Sequence, residues 1–145
     1  MTFRIFGGTM LALWTVAAAG ALGAQETKAP QSVLDGVYTE EQAKRGEAVY
    51  AETCATCHGA SLAGGEMAPA LVGPDFIAGW KTQTVNDLFE RVRLDMPQDN
   101  PGILTPQQTA DVVSFLLSAG KYPAGTSELP KENDVLKTIK LEAPK

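Results

Sequence analysis

The reactive side chains of this chain are concentrated in one pentapeptide, Cys54-Ala55-Thr56-Cys57-His58. The chain has 145 residues, and the pentapeptide contains both of its cysteines and its single histidine. Thiolate sulfur and imidazole nitrogen are groups that bind metals and form covalent bonds readily. Three such groups within five positions predict a chemical site at this point of the chain.

Three simpler interpretations of the motif compete. A redox CxxC of the thioredoxin type begins a helix after a strand, whereas here a helical pattern leads into Cys54. A structural zinc site needs four protein ligands, and two thiolates and one imidazole would require a carboxylate as the fourth. A chance occurrence without a cofactor is disfavoured by the helical context and by the leader-like N-terminus.

The spacing suits covalent attachment of haem. Two thiols on one helical turn can add to the two vinyl groups on one edge of a haem, and the histidine that follows can bind the iron. Cys54 and Cys57 are therefore predicted as attachment sites, and His58 is predicted as an axial ligand. One haem of this kind accounts for all three reactive residues.

Three main helices are predicted around the motif, which indicates an all-α fold. Each shows apolar residues at spacings of three and four, and each has start or stop signals. The start signals pair Thr39 with Gln42, Thr84 with Asp87 and Thr105 with Gln108, and the stop signals are Pro97 and Gly120.

With these helices placed, residues 38–122 resemble the class I c-type cytochromes, small all-helical electron carriers with covalent haem. The resemblance implies a cytochrome c fold wrapped round one haem. The family has a glycine and an aromatic residue eight and four positions before its first cysteine, where this chain has Gly46 and Tyr50. It also has an aromatic residue in its last helix that packs across the glycine, which implies that Phe115 touches Gly46.

The resemblance further implies that a methionine is the second iron ligand. If the apolar N-terminal segment, residues 1–24, is removed as a secretory signal, Met67 and Met96 are the methionines that remain. Met96 precedes Pro97 at the head of the loop into the last helix, where the family has its distal Met-Pro. Met67 follows His58 by only nine residues, a span that rarely carries a chain round the edge of a macrocycle. Met96 is predicted as the ligand, and Met67 is the alternative.

Three more residues are assigned to the haem site by resemblance. Pro69 lies near a family proline whose carbonyl accepts the second ring N–H of the histidine and fixes the ring, although a simple turn residue is also compatible. Leu71 matches a leucine that packs against the haem. Trp80 matches a tryptophan that reaches a haem propionate, and half-buried packing is its alternative role.

This ligand set indicates electron transfer. With both axial positions filled, the iron has no vacancy for oxygen or peroxide, and a thioether favours ferrous iron. The expected protein is a one-electron carrier, not itself an enzyme, that serves a dehydrogenase, an oxidase or a respiratory complex. A haem enzyme or gas sensor with an open distal site is the alternative.

Residues 1–24 are predicted to be a cleaved secretory signal. Arg4 precedes an apolar run that ends in small residues near Ala24. Cleavage would place the protein in the bacterial periplasm and leave residues 25–37 as a flexible linker before a domain over 38–121. An uncleaved helix is the alternative, because roughly 20 apolar residues can cross a bilayer. Membrane association is expected only in that case.

The net charge of the chain restricts the kind of partner that it can bind. The chain has 12 basic and 17 acidic side chains, and loss of the leader with Arg4 leaves 11 against 17, a net charge of −6. Such a chain is a poor ligand for nucleic acid and favours a partner protein with a neutral or basic docking face.

The tail over 122–145 is predicted to pack on the domain. Together with the pattern MPxxxPGxLT, it resembles periplasmic cytochromes that serve quinone-cofactor alcohol or sugar dehydrogenases.

Overall fold

The computed structural model describes residues 1–2 and 32–144. Almost all of the predicted signal and the first part of the predicted linker lie outside these described residues. A 3₁₀ turn is followed by six α-helices, and the described residues contain isolated bridges but no strand, which confirms the all-α prediction. The turn is Val33–Asp35, and the helices are α1 (Glu40–Thr53), α2 (Ala55–His58), α3 (Pro74–Trp80), α4 (Val85–Asp95), α5 (Pro106–Ala119) and α6 (Asn133–Leu136).

The three main helices begin where the sequence signals predicted. Complete capping boxes open two of them, α4 at Thr84 with Asp87 and α5 at Thr105 with Gln108. At the start of α1 only half of the predicted box forms. The Thr39 hydroxyl accepts the backbone N–H of Gln42 at 3.1 Å, but the Gln42 side chain turns away from the helix start. A tertiary partner has therefore displaced a local one.

Helices α1 and α5 cross in backbone contact at Gly46. A Cβ atom on Gly46 would lie 1.8 Å from the carbonyl oxygen of Asp111 and 2.9 Å from the nitrogen of Val112, so only glycine permits this approach. Phe115 pairs with Tyr50, the two rings being 5.2 Å apart and tilted by 50°. The predicted crossing is present. Asp111 and Val112 of α5 lie against Gly46, and Phe115 of α5 packs on Tyr50, one turn farther along α1.

An ion pair with one buried partner reinforces this crossing. Arg45 donates to both carboxylate oxygens of Asp111 at 3.1 and 3.0 Å, and the Asp111 side chain is only 6% exposed. The same guanidinium donates to Glu128 of the tail at 2.8 Å. These carboxylates, Asp111 above all, raise the pKa of Arg45 above its ordinary value, so the guanidinium stays charged.

The C-terminal tail packs on α1 and on the start of α4. The side chain of Gln42, fully buried, donates to the Leu129 carbonyl at 3.0 Å and accepts the Leu129 N–H at 2.6 Å. Farther along, Val85 donates its backbone N–H to Ile139 at 2.9 Å. The buried apolar residues of the tail are Tyr122, Leu129, Leu136, Ile139 and Leu141.

The segment before α1 also belongs to the packed domain. Val33 and Val37 are buried, and the Val33 N–H donates to the Lys140 carbonyl of the tail at 3.0 Å. The prediction of a flexible linker over 25–37 is therefore wrong for residues 32–37, because two valines there find apolar partners across the fold. Within the described parts of the chain, no helix has the length and apolar character needed to span a membrane.

Candidate functional site

Both thiols lie on one turn directly after α1. Cys54 leaves helical geometry, with φ −120° and ψ −33°, and α2 begins at the next residue. The Cys54 carbonyl accepts the backbone N–H groups of Cys57 at 3.2 Å and His58 at 3.0 Å, which keeps the motif tightly wound. The two sulfurs are not bonded to each other; Cys54 is half-buried and Cys57 is exposed. Each thiol is thus free for a bond to a third group.

The Cys54 thiol is held in its neutral form. Burial raises its pKa most, the nearby Cys57 adds to the rise, and a contact of 3.3 Å with the Thr53 hydroxyl opposes it. Cysteines that act in redox exchange or bind metal ions as thiolates have lowered pKa values. The raised pKa of Cys54 therefore differs from that of the reactive cysteine in a thioredoxin-type motif.

His58 is buried and oriented by one hydrogen bond. Its Nδ1 atom lies 2.8 Å from the carbonyl oxygen of Pro69, and the residue as a whole is only 9% exposed. A carbonyl can only accept, so Nδ1 is the donor of this hydrogen bond, and Nε2 is the ring nitrogen left to bind another group. This is the hydrogen bond that the resemblance implied for Pro69, and it fixes the orientation of the imidazole ring.

The loop over 59–71 folds back on itself and brings Pro69 to the histidine. The His58 carbonyl accepts the Gly64 N–H at 2.9 Å, and the Leu62 carbonyl accepts the Leu71 N–H at 2.8 Å. A Cβ atom on Gly64, where φ is +71°, would lie 2.5 Å from the nitrogen of Ala70. This compact turn has no room for a larger residue at that point.

Tyr50 ties α1 to this loop, a contact that sequence reasoning missed. Its hydroxyl donates to the Gly59 carbonyl at 2.6 Å. Burial above all, and to a smaller extent the nearby Cys54 thiol, raises the pKa of Tyr50 to about 12, so the hydroxyl remains a donor at neutral pH. The signal available in the sequence was that the aromatic position holds tyrosine, which has a hydroxyl that packing alone does not require.

Apolar side chains line one side of the candidate site. Leu71, Phe76 and Trp80 are half-buried and pack against the core, and the rings of Phe76 and Trp80 lie 6.0 Å apart. Phe76 and Trp80 also line a small cavity together with residues of α5 and Tyr122 of the tail. Among the described residues, the Trp80 indole N–H has no hydrogen-bond partner, so it is free to donate to a bound group.

The two candidate methionines lie in different environments. Met96 is half-buried and caps the end of α4 in an extended conformation, so the chain leaves the helix there. Met67 is 78% exposed in the glycine-rich turn. Among the described residues, no group of three or more His, Cys, Asp or Glu side chains could hold a metal ion.

The donor set fits a haem. Two free thiols occupy one helical turn, the next residue presents an imidazole nitrogen, and half-buried apolar side chains stand beside them. A haem provides four iron ligands of its own, so the protein has to supply only two. His58 is placed for one of these, and Met96 is the more enclosed of the two methionines.

One of three comparisons with known proteins identifies the family of this chain. The family model described as cytochrome c oxidase, cbb3-type, subunit III matches residues 41–116, just over half of the chain. No curated protein matches the sequence. One similar solved structure is the crystal structure of the sulfane dehydrogenase SoxCD from Paracoccus pantotrophus, with 19% identity, a TM-score of 0.48, and coverage of 91% of this chain and 68% of that one. The family match runs from α1 into α5 and includes the pentapeptide and Met96.

Proposed function

This chain belongs to the class I c-type cytochromes, in the family described as cbb3-type oxidase subunit III, and we propose that it is an exported one-electron carrier with His58 and Met96 as iron ligands. A cytochrome c domain implies haem c and electron transfer. The finer assignment concerns which residues of this chain attach the haem, and where the protein acts. The observation that supports the residue assignment is the hydrogen bond between Nδ1 of His58 and the Pro69 carbonyl, on a histidine beside two free thiols.

The attachment residues and the proximal ligand are pre-arranged. Haem supplies an iron atom that changes between ferric and ferrous states. Cys54 and Cys57 would form thioether bonds from one turn, and His58 would offer Nε2 because its Nδ1 proton is committed to Pro69. That hydrogen bond raises the basicity of the imidazole and fixes its plane. Leu71 and Trp80 would limit the access of water.

Met96 is proposed as the second ligand in preference to Met67. A half-buried thioether at the end of a helix is shielded from water, whereas the Met67 side chain is 78% exposed. A neutral sulfur ligand and apolar surroundings both favour the ferrous state, because the ferric site carries more charge. The midpoint potential is therefore expected to be positive, as suits an acceptor of electrons from a dehydrogenase.

The periplasm and a redox partner protein complete the proposal. Residues 1–24 have the layout of a signal peptide, and the net charge of the whole chain is −5. We propose a dehydrogenase, an oxidase or a respiratory complex as partner, with a neutral or basic docking face. N-terminal sequencing of protein from a periplasmic extract checks the export step. Copurification of the dehydrogenase or oxidase, and electron exchange with it in the purified state, checks the partner.

Haem attachment is tested by expressing the full chain in bacteria competent for cytochrome c maturation. Red protein whose haem survives acid–acetone extraction supports two thioether bonds. The variant Cys54→Ala is expected to hold the haem by one bond, with a shifted haem spectrum, and Cys54→Ala with Cys57→Ala to release it on extraction. Colourless wild-type protein would refute the assignment.

The second ligand is tested by near-infrared absorption of the ferric protein. The weak band of an iron–thioether bond is expected in the wild type and in Met67→Ala, and it should be lost in Met96→Ala. Cyanide should bind quickly to Met96→Ala and slowly to Met67→Ala, because only the first has an open position. Wild-type ferric protein that lacks the band and binds cyanide at once would favour the haem enzyme or gas sensor instead.

A further inference from the structure

We propose that Tyr50 is a positioning residue for His58, acting through the Gly59 carbonyl on the loop that carries Pro69. The inference rests on the proposed function, in which His58 binds the haem iron. The resemblance gives position 50 only an aromatic ring that packs between helices. The structure adds a hydroxyl with a specific acceptor next to the proximal ligand.

The packing of α1 on α5 fixes where this hydroxyl points. Tyr50 is 2% exposed and its ring lies 5.2 Å from that of Phe115. The hydroxyl reaches the Gly59 carbonyl at 2.6 Å, which is short for a neutral O–H···O hydrogen bond. A rigid ring therefore presents a strong donor at a set position, and the loop must fit itself to that donor.

Gly59 is the first residue of the loop that returns to the histidine. It has φ +77° and ψ 148°, a conformation that favours glycine, and its carbonyl also accepts the Leu62 N–H at 3.1 Å. Leu62 in turn accepts the Leu71 N–H, two residues after Pro69. Among the described residues, the Tyr50 bond is the one hydrogen bond between α1 and residues 59–71. It therefore sets the position of the loop relative to the helix before the motif.

Removal of the Tyr50 hydroxyl should weaken the hydrogen bond between the His58 imidazole and the Pro69 carbonyl. A loop freed from α1 would allow the Pro69 carbonyl to move away from Nδ1, now 2.8 Å away. A weaker hydrogen bond makes the imidazole a poorer donor to iron, and ferric iron gains most from a good donor. The midpoint potential should therefore rise when the hydroxyl is removed, and the ring plane of His58 should be less fixed.

The chain offers a matched control in Tyr38. Its buried hydroxyl donates to the Tyr122 carbonyl at 2.7 Å, so Tyr38→Phe also deletes one buried hydroxyl hydrogen bond. That bond joins the segment before α1 to the tail and involves no residue of the loop over 59–71. Both changes should lower the free energy of unfolding by a similar amount, since each removes the hydrogen bond of one buried hydroxyl.

The experiment compares holoprotein of the wild type, Tyr50→Phe and Tyr38→Phe. Tyr50→Phe is expected to raise the midpoint potential, to change the spread of the ferric haem-methyl NMR shifts, and to speed amide exchange at Gly64 and Leu71. Tyr38→Phe is expected to leave all three as in the wild type. Equal behaviour of the two variants would overturn the inference. Wild-type protein without a histidine-bound covalent haem would instead overturn the proposed function on which it rests.

A second measurement strengthens the same hydrogen bond instead of removing it. The chain has three tyrosines, so in a Tyr38→Phe, Tyr122→Phe background 3-fluorotyrosine is incorporated at Tyr50 alone. Fluorination makes the phenol a more acidic, stronger donor, and the potential should move in the direction opposite to that of Tyr50→Phe. An unchanged potential, or a shift in the same direction, would argue against a positioning role.

Discussion

The two segments that carry the candidate iron ligands are held very differently by the rest of the chain. Around His58, residues 54–71 form a closed set of turns, fixed to α1 by Tyr50 and to the histidine ring by Pro69. Beyond Met96, residues 98–103 are all exposed. Within residues 97–103, all of which the structure describes, there is one backbone hydrogen bond, from the Asn100 N–H to the Pro97 carbonyl at 3.0 Å. The chain thus pre-forms one side of the site and leaves the other side to be completed.

The difference has an energetic meaning. Displacing His58 disturbs the α1–α5 crossing, because the motif follows α1 without a linker. Displacing Met96 requires only the opening of an exposed loop that ends at the buried Leu104. Local opening of such segments costs less free energy than global unfolding. In the proposed haem-bound protein, the iron–His58 bond should therefore be as stable as the fold, and the iron–Met96 bond should be the weaker of the two.

The largest expected effect comes from disrupting the crossing of α1 and α5, which supports the turn that carries His58. Gly46→Ala places a Cβ atom 1.8 Å from the Asp111 carbonyl oxygen, so one helix must move. We expect a loss of about 3–5 kcal/mol in the free energy of unfolding, or no recoverable holoprotein. Urea denaturation followed by circular dichroism measures it.

Gly79→Ala is the control for a helical glycine, since nothing lies within 4 Å of its added Cβ atom. It should leave stability unchanged or raise it by about 0.5–1 kcal/mol. A Gly46→Ala protein as stable as Gly79→Ala would mean that the two helices do not touch as described.

The next largest effect concerns the tail that braces α1. Gln42→Ala removes both partners of the buried Leu129 peptide groups, and buried groups without partners are costly. We expect a loss of about 2–4 kcal/mol, measured by the same urea titration. Gln107→Ala deletes a glutamine whose single side-chain bond, to Asp111 at 3.0 Å, lies near the surface, and it should cost less than about 1 kcal/mol. Similar losses of unfolding free energy in the two variants would mean that the Gln42 side chain does not hold the tail at Leu129.

Gln42 also shows where sequence reasoning stops. Capping signals, the all-α class and the Pro69 hydrogen bond could be predicted, because each depends on residues close in sequence or on a family pattern. Gln42 was assigned to a local capping box, yet its partner is Leu129, 87 positions away. The buried role of Val33 and the acceptor of the Tyr50 hydroxyl likewise depend on segments that meet only in the folded chain.

An intermediate effect is expected in alkaline solution. Burial raises the pKa of Tyr50 from 10.0 to about 12 in the folded protein. An unfolded chain loses this proton near pH 10 while the folded chain keeps it, so the stability from Tyr50 is complete below pH 10 and is lost as the pH rises to 12. The loss should be on the order of 2 kcal/mol. Free energies of unfolding at several pH values should fall less steeply for Tyr50→Phe, and parallel curves would exclude this contribution.

The smallest event expected is the release of Met96 alone, which tests the contrast between the two segments without a substitution in either. In a urea titration of ferric wild-type holoprotein, the near-infrared iron–thioether band should disappear at a lower urea concentration than the helical circular dichroism signal, because residues 98–103 are exposed and sparsely bonded. Gln42→Ala should move the helical transition and leave the loss of the band nearly in place, since Gln42 braces α1 and the tail. If band and helices disappear together in both proteins, the distal loop is as firmly held as the proximal turns.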